Sequence, residues 1–146
     1  MACGAGTVLS PEAVEAAAGA GATIIVAPNT SPEVIRKALT LGLDPTPGIA
    51  TATEAFEAIE AGARHLKLFP AGTYGPSHLS QLKAVLPQEV TVWGVGGIRP
   101  DDFPAWWAAG ARGFGIGSEL YRPGQSIEET RAKAGRVAVA ACALSR

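Results

Sequence analysis

Val90-Thr91-Val92-Trp93-Gly94-Val95-Gly96-Gly97-Ile98 runs through a helix that Pro100 starts and Gly110 ends, into Gly113-Phe114-Gly115-Ile116-Gly117-Ser118. Both apolar runs read as strands, and both finish in glycine. Glycine at a strand end lets backbone N–H groups approach an anion closely, and the following helix N-terminus adds a favourable dipole. Ser118 adds a hydroxyl donor. Either loop alone reads equally well as close packing of a strand on a helix. Two of them on consecutive strands are more specific, because (β/α)8 barrels frequently build a phosphate site from the loops after strands seven and eight.

The rest of the chain repeats one pattern: a short β-rich run, a turn, an Ala-rich helix, a glycine, the next run. The runs are Thr7-Val8-Leu9, Thr23 to Ala27, Leu43 to Pro47, His65 to Phe69, Val90 to Val95 and Gly113 to Ile116. Ser10 before Pro11 reads as an N-cap, and Ser31-Pro32-Glu33 restarts a helix. Thr51-Ala52-Thr53-Glu54 and Ser126-Ile127-Glu128-Glu129 read as capping boxes. Pro76 opens a helix that Pro87 closes. Gly21, Gly42 and Gly62 end helices one βα unit apart. Strands alternating with helices predict a parallel α/β sheet. The fold class predicted is a (β/α)8 TIM-barrel type represented by six βα units, as one domain over 1–146. If the last two strands are the seventh and eighth, two units of about 50–60 residues are expected ahead of the first.

In His65-Leu66-Lys67-Leu68-Phe69-Pro70 the alternation puts Leu66 and Leu68 on one face and His65, Lys67 and Phe69 on the other. With helices covering the leucine face, Lys67 points into the sheet interior. A buried amine resists protonation, which is what a Schiff-base lysine requires. A strand-end lysine reaching solvent fits the same pattern. His65 reads as a packed strand residue, His78 as a solvated first-turn residue, and the three tryptophans as packing residues, with Trp93 near the Lys67 face.

The 146 residues suffice for one domain with a sizeable core. The net charge of −1, with no basic stripe, argues against nucleic acid and anionic membrane as partners. The apolar runs are too short to span a bilayer, and no signal peptide is visible. Cys3 and Cys142 have no metal-ligand spacing and read as free thiols of a reducing cytoplasm.

Gly4-Ala5-Gly6-Thr7-Val8-Leu9, Pro28-Asn29-Thr30, Pro47-Gly48, Leu66-Lys67-Leu68-Phe69-Pro70-Ala71, Val95-Gly96-Gly97-Ile98 and Gly117-Ser118 occur in an order and spacing that resemble the 2-keto-3-deoxy-6-phosphogluconate/phosphogalactonate aldolases. These are class I, metal-free lyases. The resemblance covers essentially the whole chain. The phosphogalactonate branch is suggested by Pro28-Asn29-Thr30, by Thr51 to Phe56, by Tyr121 to Ser126, and by Val95, where the phosphogluconate enzymes usually carry Thr. The resemblance implies that Lys67 is the Schiff-base lysine. It places Thr7 near the pyruvyl carboxylate, Pro28 and Phe69 in the pocket wall, and Val95 beside the substrate. Gly96, Gly97, Gly117 and Ser118 match the phosphate cradle. It implies a phosphorylated keto-deoxy sugar acid and pyruvate as ligands, no cofactor, no metal, a homotrimer and a cytoplasmic setting.

The family's catalytic Glu and a substrate-gripping Arg lie on its first two units, which have no counterpart here. Glu54 reads as a capping residue, and Glu119 is the least implausible substitute acid. The expectation is that the true start lies upstream. A degenerate remnant, or strands supplied by another subunit, would also account for the pattern. Two other functions fit the glycine loops: a thiamine-phosphate-synthase-like barrel enzyme, and a module that binds phosphosugars without catalysis.

Overall fold

The computed structural model describes residues 2–144. The elements are β1 (Gly4–Gly6), α1 (Pro11–Gly19), β2 (Ile24–Val26), α2 (Pro32–Thr40), β3 (Asp44–Thr46), β4 (Gly48–Ile49), α3 (Ala52–Glu60), β5 (His65–Leu68), α4 (Ala71–Lys83), β6 (Thr91–Val95), α5 (Phe103–Ala108), β7 (Ala111–Gly115) and α6 (Ile127–Ala143). A 3-10 turn over Pro100–Asp102 precedes α5. Every strand pair is parallel, in the order β1-β2-β3 and β4-β5-β6-β7.

β3 falls within the run predicted from Leu43 to Pro47, and β4 continues that strand position past Pro47 to Ile49. Pro47 has no N–H to donate, so the ladder breaks there. The backbone still carries on: Ala27 donates to Thr46 O at 3.3 Å, and Lys67 donates to Pro47 O at 2.8 Å. Six strand positions therefore follow one another, as the six βα units require.

Most helix boundaries follow from local chemistry. Ser10 Oγ accepts from Ala13 N at 3.3 Å and caps α1. Thr51 and Glu54 form the complete predicted box on α3. Ser126 caps α6 by accepting from Glu129 N at 3.1 Å, but the Glu129 carboxylate pairs with Lys133 at 2.8 Å. The second box is therefore half made, because a cation one turn on competes for the acid. Gly21, Gly42 and Gly62 follow the helices with φ of 88°, 71° and 109°.

Two predicted boundaries are corrected. The first strand is Gly4–Gly6, and Thr7 lies beyond its end with φ of 58°. The helix assigned to Pro76 begins a turn earlier, at Ala71, and is interrupted at Gly75 before Pro76 resumes it.

Alternation decides which face of the sheet is dry. Leu66 and Leu68, both 0 % exposed, pack in the main core with Ala55, Ala58, Leu79, Val92 and Phe103. A smaller core joins Ile25 to Val14, Val34 and Ala38 beneath α1 and α2. The opposite face, carrying His65, Lys67, Thr91, Trp93 and Val95, is the interior side, and all of these except Lys67 are half-buried. α6 contains no buried residue; it rests on the main core through Val137 and Ala140. No helix among the described residues is long and apolar enough to cross a membrane.

Candidate active site

Lys67 is 8 % exposed, the most buried charged side chain described. It stands on β5 between Gly48 of β4 and Trp93 of β6, its ladder partners. Its Nζ lies 4.3 Å from the centroid of the Phe69 ring, two residues along the same face. Among the described residues no carboxylate pairs with it. Burial pushes the amine below the ordinary lysine value, because removing water disfavours the ammonium form. The cation–π contact with Phe69 opposes that effect only weakly. The arrangement leaves a neutral nucleophilic fraction at lower pH than a surface lysine would give.

Two groups of residues converge on this amine. A Cβ built on Gly48 would lie 2.2 Å from the Pro28 carbonyl oxygen, so the absence of a side chain there lets the Pro28-Asn29 backbone pass beside β4. Gly48 N donates to Asn29 O at 3.2 Å, and Thr30 Oγ1 donates to Gly48 O at 3.0 Å. Pro28 is thereby fixed next to the residue opposite Lys67. On the other side, a Cβ on Gly96 would lie 3.2 Å from the Phe69 ring carbons. Gly72 N donates to Gly96 O at 2.8 Å, which ties the start of α4 to the glycine pair.

Gly96 and Gly97 have φ of 90° and 76°, which L side chains rarely adopt. Among the described residues, no protein acceptor takes the N–H groups of Gly96, Gly97, Gly117 or Ser118. They are unpaired donors at the ends of two adjacent strands. Val95 sits in the β6–β7 ladder opposite Gly115, whose added Cβ would lie 2.7 Å from Val95 Cγ2. Lys67, Phe69, Pro28 and Gly96 thus form one linked neighbourhood. Gly117 and Ser118 lie one strand further on, and Thr7 is exposed past the end of β1 on the other side of the sheet.

Glu119 pairs with Arg122 at 3.8 Å and lines a groove with Arg99, Asp101 and Arg136; no β5 residue contributes to that groove. His65 is a packed strand residue: Nδ1 lies 2.6 Å from Thr91 Oγ1, and Nε2 lies 3.5 Å from Asp44 Oδ2. His78 is not solvated as predicted. It stacks on Tyr74 and its Nε2 lies 2.6 Å from Ala50 O, because the kink at Gly75 turns that helix face toward the β4–α3 loop. Gly48 and Gly72 were not singled out in the sequence; the Pro47-Gly48 pair was the available signal for the first. Among the described residues no group of His, Cys, Asp or Glu is arranged to hold a metal ion.

The sequence profile of the KDPG and KHG aldolases matches residues 1–135. Over 131 residues the chain is 53% identical to 2-dehydro-3-deoxy-6-phosphogalactonate aldolase of Escherichia coli (strain K12), covering 90% of this chain and 64% of that protein. It therefore spans under two thirds of that relative's length. A solved native KDPGal structure superposes with a TM-score of 0.94 at 49% identity, over 97% of this chain and 69% of the other. The KDPG aldolase from Legionella pneumophila, solved with pyruvate as a covalent carbinolamine, superposes at 0.79 with 27% identity, over 93% of this chain and 67% of that one. The six parallel units are part of a TIM-barrel-type fold, and the chain belongs to the KDPG and KHG aldolase family.

Proposed function

We propose that Lys67 is the Schiff-base lysine of a class I aldolase, an aldehyde-lyase acting on 2-dehydro-3-deoxy-6-phosphogalactonate. The observation that carries this reading is a buried amine on the interior face, paired with no carboxylate among the described residues, with unpaired backbone donors at the ends of the next two strands. The neutral amine adds to the C2 ketone, and the carbinolamine loses water to give an iminium. Proton removal from the C4 hydroxyl breaks the C3–C4 bond, whose electron pair passes into the iminium as an enamine. Glyceraldehyde 3-phosphate leaves. Protonation at C3 and hydrolysis then release pyruvate and restore the amine. The unpaired amides of Gly96, Gly97, Gly117 and Ser118 would receive the phosphate end, with Pro28, Phe69, Val95 and Thr7 around the keto acid.

General-base removal of the C4 proton is worth about 10²–10⁴ in rate. Among the described residues no carboxylate forms an ion pair with Lys67, so imine formation can be tested apart from carbon–carbon cleavage. That distinguishes a second reading, in which the chain binds the phosphosugar without cleaving it. The family resemblance extends the first reading to a homotrimer acting in the cytoplasm. Borohydride reduction in the presence of pyruvate tests the central claim. A mass increase located on Lys67 is expected; its absence on folded protein that still binds a phosphate ester would leave the binding reading standing.

A further inference from the structure

At the foot of the sheet, at the opposite strand ends from the glycine loops, lies a cavity of about 320 Å³ lined by Lys83, Leu86, Gln88, Val90, Thr91 and Arg112, with Gly110. Two cations converge on it from different elements. Lys83, in the last turn of α4, donates from Nζ to Val90 O at 2.8 Å. Arg112, on β7, donates from Nη1 to Ala111 O at 2.8 Å and has its guanidinium 4.9 Å from the Trp107 ring centroid. The carbonyl and the ring hold the arginine in place. The Lys83 stem is confined by Gly110, where an added Cβ would lie 3.1 Å from Lys83 Cγ.

Among the described residues no carboxylate forms an ion pair with Lys83 or with Arg112. Burial of Lys83 and, after it, repulsion from Arg112 push its amine below the ordinary lysine value; Glu89 acts in the opposite sense and is the weakest of the three influences. A cation next to a helix C-terminus is favourable, and Arg112 reaches Trp107 O at 3.4 Å in the last turn of α5. That role would account for one cation. It leaves unexplained why Lys83, already partly dehydrated, shares its cavity with a second positive charge and an amide.

We propose that this cavity binds a phosphate-sized oxyanion, with Arg112 and Lys83 as charged donors and the Gln88 amide on its rim. An anion there would offset the repulsion, and a planar guanidinium matches two oxygens of a phosphate at once. The ligand is either inorganic phosphate or the phosphate group of a metabolite. The site is separate from the Lys67 pocket and does not depend on its chemistry.

Site-resolved acetylation of the full chain near pH 9 tests it, with Lys37 as internal reference. Inorganic phosphate, at constant ionic strength made up with sodium chloride, is expected to slow labelling of Lys83 in a saturable way. One unit of upward shift in the amine would slow it about tenfold. Arg112→Lys should keep the charge, lose the two-pronged contact and weaken saturation several-fold. Glycerol phosphate protecting at lower concentration than inorganic phosphate would identify a metabolite ester as the ligand; equal or weaker protection would identify free phosphate. Labelling of Lys83 that responds to phosphate no more than to chloride, or that saturates identically in wild type and Arg112→Lys, would overturn the site.

Discussion

Gly48 stands directly opposite Lys67 in the β4–β5 ladder, and the Pro28 carbonyl occupies the space where a Gly48 side chain would be. The candidate nucleophile and the Pro28-Asn29 backbone are thus held in register through a residue with no side chain. The three nearest atoms that a Cβ would meet, Pro28 O at 2.2 Å, Pro28 C at 2.3 Å and Asn29 N at 2.8 Å, belong to the backbone. None can turn aside, so Gly48→Ala has to move the 28–30 segment or the strand. Overpacking of this kind costs about 3 kcal/mol, and a 1 Å misplacement of a reacting group can cost about 10²-fold in rate. Urea unfolding and the rate of borohydride trapping, measured on the same variant, are expected to fall together. Normal stability and normal trapping would show that the segment is free to yield.

The dryness around Lys67 carries a pH signature. Its amine has a lowered folded value, so the neutral nucleophile accumulates before pH reaches the ordinary lysine value of 10.5. Trapping by pyruvate and borohydride should therefore rise with pH and level off below 10.5. Stability follows the same shift with a definite sign. Below the folded value both states are protonated, and the native state bears the full cost of a buried ammonium. Between the folded value and 10.5 the unfolded chain binds more protons, so native stability rises with pH. Lys67→Met should abolish trapping and be more stable than wild type near neutrality, with the gain shrinking toward pH 10.5. A gain that does not vary with pH would show that the amine is not perturbed by burial.

Much of this was legible from the sequence. The β-branched runs around Ile24-Ile25-Val26 and Thr91-Val92, the Ser10 and Thr51 caps and the three helix-ending glycines all carry their signals locally. The alternation puts Lys67 on the face opposite Leu66 and Leu68, but the same pattern fits a lysine reaching solvent, and only the packed structure buries it. β1 was misplaced because Gly4-Ala5-Gly6 has no strand propensity. Gly4 serves close approach instead: a Cβ there would lie 3.1 Å from both Ile24 Cβ and Ile24 O, whereas one on Gly6 would meet nothing within 4 Å. The turn of α4 before Gly75 was missed because Gly72 and Gly75 weaken the helical pattern. Crowding between Gly48 and Pro28 joins segments twenty residues apart, and no local pattern reports it. Nor does any local pattern place His78 beneath the carbonyl of Ala50.

The two glycine loops are separable by substitution. Gly96 has φ of 90° and faces the Phe69 ring, so Gly96→Ala is strained and crowded at once. Being held in the left-handed region costs an alanine about 1–2 kcal/mol. Gly117 has open space around it and no positive φ, so Gly117→Ala should keep stability within about 0.5 kcal/mol. Its methyl group would nevertheless stand beside the unpaired amides of Gly117 itself and Ser118. Binding of glyceraldehyde 3-phosphate, measured by calorimetry, is expected to weaken in both variants, while thermal stability falls only in Gly96→Ala. Unchanged binding by Gly117→Ala would remove that loop from the phosphate cradle.

The α3 capping box holds the loop that follows β4. Glu54 Oε2 accepts from Ala50 N at 2.7 Å, Thr51 N at 2.8 Å and Thr51 Oγ1 at 2.9 Å. The bond from Ala50 is the main reason its carboxyl lies below the ordinary glutamate value of 4.5. Ala50 directly follows β4 and its carbonyl meets His78, so this box fixes a loop that two elements share. A carboxylate with a depressed folded value stabilises the protein fully above its unfolded value and loses that contribution as pH falls through the folded one. Thr51→Ala should cost about 1 kcal/mol near neutrality. Glu54→Gln should be less stable than wild type at pH 7, and the two should converge as pH drops below 4.5, because protonation makes the wild-type side chain equally neutral. Chemical denaturation at pH 7 and pH 3 distinguishes this from a packing defect, which would persist at both.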